Sequence, residues 1–155
     1  MNNNESIKAL LEDRFEFLYD EGFQILSFDD YKREFGDWQI VFQSSVCLLE
    51  IYSSRSEVDI TFVPIDANTK KRIGLSTFVY LISNGERFFG NYEGDLLNQQ
   101  NQIERLSKVL KEYLSEIMLI MNKGISKYDD ALEKAGEAVF KKTYEEFRKN
   151  RYKPF

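Results

Sequence analysis

The amino-acid sequence predicts an α+β fold: a four-stranded antiparallel β-meander preceded by one helix and packed by a short helix and two long C-terminal helices. Three observations carry this prediction. Residues 38–64, WQIVFQSSVCLLEIYSSRSEVDITFVP, divide into three apolar runs separated by two short polar turns. In the last run Val58, Ile60 and Phe62 alternate with Glu57, Asp59 and Thr61, the period of two that a sheet with one buried and one wet face requires. From residue 103 to 120, by contrast, apolar side chains recur every three or four positions, the period of a helix with one buried stripe.

The 155 residues suit one domain, and no linker, internal repeat or low-complexity tract divides residues 1–155. Residues 1–4 and 151–155 read as flexible ends. A first helix is expected from Glu5 to about Asp20, with Ile7, Leu11, Phe15 and Leu18 on its apolar side and Gly22 as its stop. FQILSF, residues 23–28, reads as the first strand. DDYKREFGD, residues 29–37, reads as a polar connection. Its acids Asp29, Asp30, Glu34 and Asp37 lack the spacing of a calcium loop, so a solvated loop outranks a cation site there.

In the second strand Trp38, Ile40 and Phe42 share a face; in the third, Cys47, Leu49 and Ile51 do. The third strand also carries Val46, Leu48, Glu50 and Tyr52 on its other side, and Pro64 ends the fourth by removing a donor. Residues 65–72 form a polar loop holding the basic run Lys70-Lys71-Arg72. LSTFVYLISNG, residues 75–85, fits a short helix capped at Asn84-Gly85, although Asn-Gly also suits a hairpin turn. Phe88, Phe89 and Tyr92 in RFFGNYE read as a plug at the core edge. A long helix is expected from Asp95 to about Asn122 with glutamine-rich, exposed opening turns. A last helix then starts at Ser126 as a hydroxyl cap and buries Tyr128, Leu132, Ala135 and Val139.

Composition excludes several chemistries. The chain has no histidine, which removes the commonest general base and metal ligand and every Ser-His or Cys-His arrangement. One cysteine, Cys47, cannot build a zinc site or an internal disulfide, and its VCLL surroundings make it core filler. The eight glycines are scattered and form no phosphate cradle. Cofactors are therefore expected to be none, and the residues point away from an enzyme. The start MNNNESIKALLEDR is unlike a signal peptide, and apolar runs such as IMLIM are too short to span a bilayer. A cytoplasmic, membrane-free protein is expected.

Charge is distributed unevenly. Residues 1–65 hold 5 Lys/Arg against 13 Asp/Glu, a net of −8, whereas residues 66–155 hold 16 against 13, a net of +3. An acidic, aromatic-bearing surface suits a basic protein, and the candidate contact residues are Asp29, Asp30, Tyr31, Asp37, Tyr52, Glu57 and Asp59. Three rival readings stand beside it. One is an enzyme or small-ligand binder with a pocket between sheet and helices. Another is nucleic-acid binding through the tail KKTYEEFRKNRYKPF, which the acidic whole-chain balance disfavours. A homodimer through the long helix is compatible with any of these.

The segments FGDWQIVFQSS, VCLLEIYSSRSEVDITFVP, GLSTFVYLI and QIERLSKVLKEYLSEI together resemble small uncharacterised bacterial α+β proteins, some of them immunity-protein-like and encoded beside toxins. The resemblance spans roughly residues 20–121. It implies protein binding, with a basic toxin as one candidate partner, and it assigns no residue a role.

Overall fold

In the computed structural model, residues 3–31, 37–54, 57–65, 71–89 and 98–151 are described. Their order is α1 (Asn3–Arg14), α2 (Phe17–Asp20), β1 (Gln24–Tyr31), β2 (Asp37–Gln43), β3 (Cys47–Ser54), β4 (Glu57–Pro64), β5 (Ile73–Gly74), α3 (Leu75–Ile82), α4 (Gln99–Lys123) and α5 (Asp129–Arg151). The fold is α+β, with an antiparallel sheet of five strands in the sequential order β1-β2-β3-β4-β5.

The alternation in the sequence decides which sheet face is buried. Trp38, Ile40 and Phe42 of β2, Cys47, Leu49 and Ile51 of β3, and Val58, Ile60 and Phe62 of β4 are all essentially inaccessible. The strand register stacks them in rows such as Ile40–Ile51–Ile60 and Phe42–Leu49–Phe62. Ile103, Leu106, Leu110 and Ile117 of α4 complete this core with Leu11 and Phe15 from the N-terminal helical segment. Phe78 of α3 meets Phe62 edge to face, the ring centroids 5.3 Å apart at 82°. The short helix reading of residues 75–82 is thus correct, and Asn84 (φ 56°) and Gly85 (φ 78°) turn the chain at its end.

The boundaries move for local physical reasons. The first helix breaks at Phe15–Glu16, where Leu18 N–H bonds back to Phe15 O and Tyr19 N–H to Glu16 O, three residues rather than four. β1 continues three residues beyond Phe28, so Asp29, Asp30 and Tyr31 are strand rather than loop. They pair with Gln39, Trp38 and Asp37. A bulge between Ile25 and Ser27 leaves Leu26 exposed on this edge strand. β5 adds a fifth strand by pairing Ile73 and Gly74 with Phe62 and Thr61, too few residues to show a period.

The opening of α4 is not exposed as its glutamines predict. Gln99 accepts from Trp38 Nε1 (3.2 Å) and donates to Ser53 Oγ (2.7 Å). Gln102, 1% exposed, accepts from the Val58 amide at 2.8 Å. These bonds satisfy groups that the core would otherwise strand. Ser126 is no cap: a single 3₁₀ turn over Ile125–Tyr128 precedes α5, entered through Gly124 at φ 101°. Leu132, Ala135 and Val139 form the buried stripe of α5, as their spacing predicts. Asn3 and Asn4 belong to α1 and Arg151 to α5. Residues 1–2 and 152–155, Glu34, Arg55, Lys70, Tyr92 and the expected helix start at Asp95 fall outside the described residues. Phe89 is buried in the core, as a plug would be.

Candidate functional site: the outer face of the sheet

Because β-strand side chains alternate, burying Val58, Ile60 and Phe62 turns Glu57, Asp59 and Thr61 to the opposite face. The register then assembles residues that are distant in sequence. Asp29 pairs with Gln39, Gln39 with Tyr52, and Tyr52 with Asp59, so one row crosses four strands. The next row outward contains Asp37, opposite Tyr31, and Glu57, opposite Ser54. The row inward runs Ser27–Val41–Glu50–Thr61. Asp29, Asp37, Tyr52, Glu57 and Asp59 therefore share one surface, and Tyr31 stands at a register position within it.

Asp30 departs from the expected acidic surface. It pairs with Trp38, whose indole is buried, so it belongs to the inner face. The cause is parity: adjacent residues of a strand point oppositely, and Asp29 already occupies the outer position. Asp30 Oδ1 is shielded from solvent and has no hydrogen-bond partner among the described residues.

Two carboxylates on this face are more buried than a wet face predicts. Glu50 is 5% exposed and accepts from Arg72 Nη1 at 2.7 Å. Arg72 enters from the segment before β5 and was hidden in the sequence within a basic run; nothing in the spacing pairs it with Glu50. Asp59 is half-buried, and its Oδ1 accepts from the Ile60 amide at 2.9 Å. Burial pushes the Asp59 carboxyl up to about 6, and neighbouring Glu57 adds to the rise while the Ile60 amide opposes it. Burial likewise raises the Tyr52 phenol, against a hydrogen bond with Thr61 that lowers it. Asp37, Gln39, Glu50, Tyr52, Ser54 and Arg72 line a shallow depression of about 260 Å³.

Val58 and Ile60 precede the two β4 residues that β5 covers. Their amides are taken by Gln102 and Asp59, which blunts this strand edge against further pairing. The face, rather than this edge, is what the sheet offers.

The space between the sheet and α4 is filled by side chains, and the larger concavities lie elsewhere. A groove of about 390 Å³ between β5, α3 and α5 is lined by Lys71, Arg72, Thr77, Asp129, Leu132 and Glu133. Another of about 520 Å³ runs beside α2 and α4, where Arg14 Nε donates to Glu104 at 3.1 Å. Both mix the two signs of charge. Among the described residues no cluster of three or more His, Cys, Asp or Glu is placed to hold a metal ion, and no helix is long and apolar enough to cross a membrane.

Cys47 lies on the inner face, fully buried, with its thiol pushed up to about 11 by burial and Ser44 Oγ 3.7 Å from Sγ. A thiol so held is not a nucleophile at neutral pH. The native protein is expected to leave Cys47 unlabelled by Ellman's reagent at pH 8, and one thiol per chain to react once urea unfolds it. Rapid labelling of the native protein would contradict this burial.

No family model, no curated protein and no solved structure matches the chain.

Proposed function

We propose that this protein is a non-catalytic binding domain that holds a basic protein against the outer face of its sheet. The observation that carries the reading is the cross-strand assembly of Asp29, Asp37, Glu57 and Asp59 around Tyr52 on one rigid surface. Four acids from three strands converge only because the register brings them together. A fixed array of like charge raises the encounter rate of an oppositely charged partner and suppresses acidic competitors. Tyr52 supplies a rigid aromatic contact at low conformational cost. An immunity-type inhibitor of a basic toxin is the biological role that this chemistry and the sequence resemblance favour together.

The test is affinity purification from the native host with two baits, the natural chain and a variant carrying Asp29→Lys and Glu57→Lys. The expected result is a stable basic protein retained by the first bait and lost from the second. Identical capture by both baits, or no stable partner, overturns the reading.

The groove between β5, α3 and α5 favours a second reading, a small-ligand site, because Lys71, Thr77, Asp129 and Glu133 converge on it. Under that reading the two baits retain the same proteins, and ligand-dependent protection against thermal unfolding is lost in Thr77→Val.

A further inference from the structure

The last helix carries a surface that the sheet-face reading does not use. Phe140, Tyr144 and Phe147 of α5 are 74%, 54% and 41% exposed. Their spacing of four and three residues places them in one ridge, turned away from the stripe of Leu132, Ala135 and Val139 that packs on the body. Isolated apolar side chains at a surface are ordinary, but three large aromatics in one contiguous ridge mark a contact site.

Charge along the same helix selects the occupant. Glu133 and Glu137 precede the ridge and Lys141 and Arg148 accompany and follow it, all four exposed. The helix is acidic before its aromatics and basic after them. A parallel copy would set acid against acid. An antiparallel copy, with its two-fold axis between Lys142 and Thr143, sets Glu137 of one chain opposite Arg148 of the other and brings Phe140 within one residue of Tyr144, twice over. A surface complementary to itself under a two-fold rotation is what an isologous dimer requires.

We propose that a second copy of this chain occupies the ridge, forming an antiparallel α5–α5 dimer. The proposal stands independently of the sheet-face reading, because no residue of the outer sheet face takes part. The ridge covers eight residues, about 12 Å of helix, which places the contact at the small end of specific interfaces. The dimer is therefore weak and reversible, with a dissociation constant on the order of tens of micromolar.

Sedimentation equilibrium of the full chain from about 1 to 500 μM tests it, across the range that such a constant sets. The natural protein is expected to shift from monomer to dimer over that range. Phe140→Asp should leave only monomer, its fold checked by circular dichroism; this side chain is largely solvated, so folding is expected to survive. Glu137→Arg and Arg148→Glu should each weaken the dimer about tenfold, with the pair restored in the double variant. Glu57→Lys on the sheet should change nothing. A monomer at every concentration, a dimer that survives Phe140→Asp, no rescue by the double charge swap, or a dimer lost in Glu57→Lys would each overturn the proposal.

Discussion

Phe62→Ala is expected to lower the free energy of unfolding by about 3–5 kcal/mol. The ring is fully buried in the row Phe42–Leu49–Phe62, and it packs edge to face on Phe78 of α3. Truncation removes the transfer free energy of the ring, the aromatic pair and the packing around the void, and neighbours held by strand register close that void only in part. For a domain of this size the midpoint of thermal unfolding should fall by roughly 10 °C. Urea denaturation checks the mechanism: the midpoint should drop with the slope unchanged. A loss below about 1 kcal/mol would mean that Phe62 is not a core residue.

The second large effect is at Asp59 and depends on pH. Its folded-state value of about 6 lies above the ordinary carboxylate value of 3.8, so the folded protein holds this proton more tightly than the unfolded chain. The sign follows directly. Below about pH 4 the carboxyl is protonated in both states and costs nothing. As pH rises from about 4 to 6 the unfolded chain gives up the proton first, and stability falls. Above pH 6 the full penalty remains, on the order of 3 kcal/mol. Asp59→Asn keeps an oxygen for the Ile60 amide and removes the charge. It is expected to stabilise the protein by roughly 1–2 kcal/mol at pH 8, to have little effect at pH 4, and to flatten the intervening slope. Equal effects at both pH values would contradict the burial of this carboxylate. A half-buried acid kept at such a cost, beside Glu57, fits a surface held ready for a cation.

The strands from Trp38 to Pro64 and the helices over residues 75–82, 99–123 and 129–151 were legible because each carries a sustained hydrophobic period. Three features were not. The acids of β1 resemble a loop, since Asp is a poor strand former; only pairing with Asp37, Trp38 and Gln39 makes them strand, and pairing is not local information. Sequence proximity groups Asp30 with Asp29, but sequence proximity is not facial proximity, and the parity of the strand separates the two. The surface itself was half visible. Alternation in β4 sets Glu57 and Asp59 outward, but the row that joins them to Asp29 depends on a register fixed by turns outside the hydrophobic pattern. Arg72 carried no signal at all, because its partner Glu50 lies 22 residues away across two strands.

Carboxyl footprinting of the free and partner-bound protein reads the proposed surface at its own side chains. Carbodiimide coupling of glycine ethyl ester, located by mass spectrometry, should label Asp29, Asp37 and Glu57 in the free protein and spare them in the complex, while Glu133, Glu137 and Glu145 on α5 label equally in both. Protection confined to the α5 carboxylates, with the sheet acids still labelled, would contradict a partner seated on the sheet.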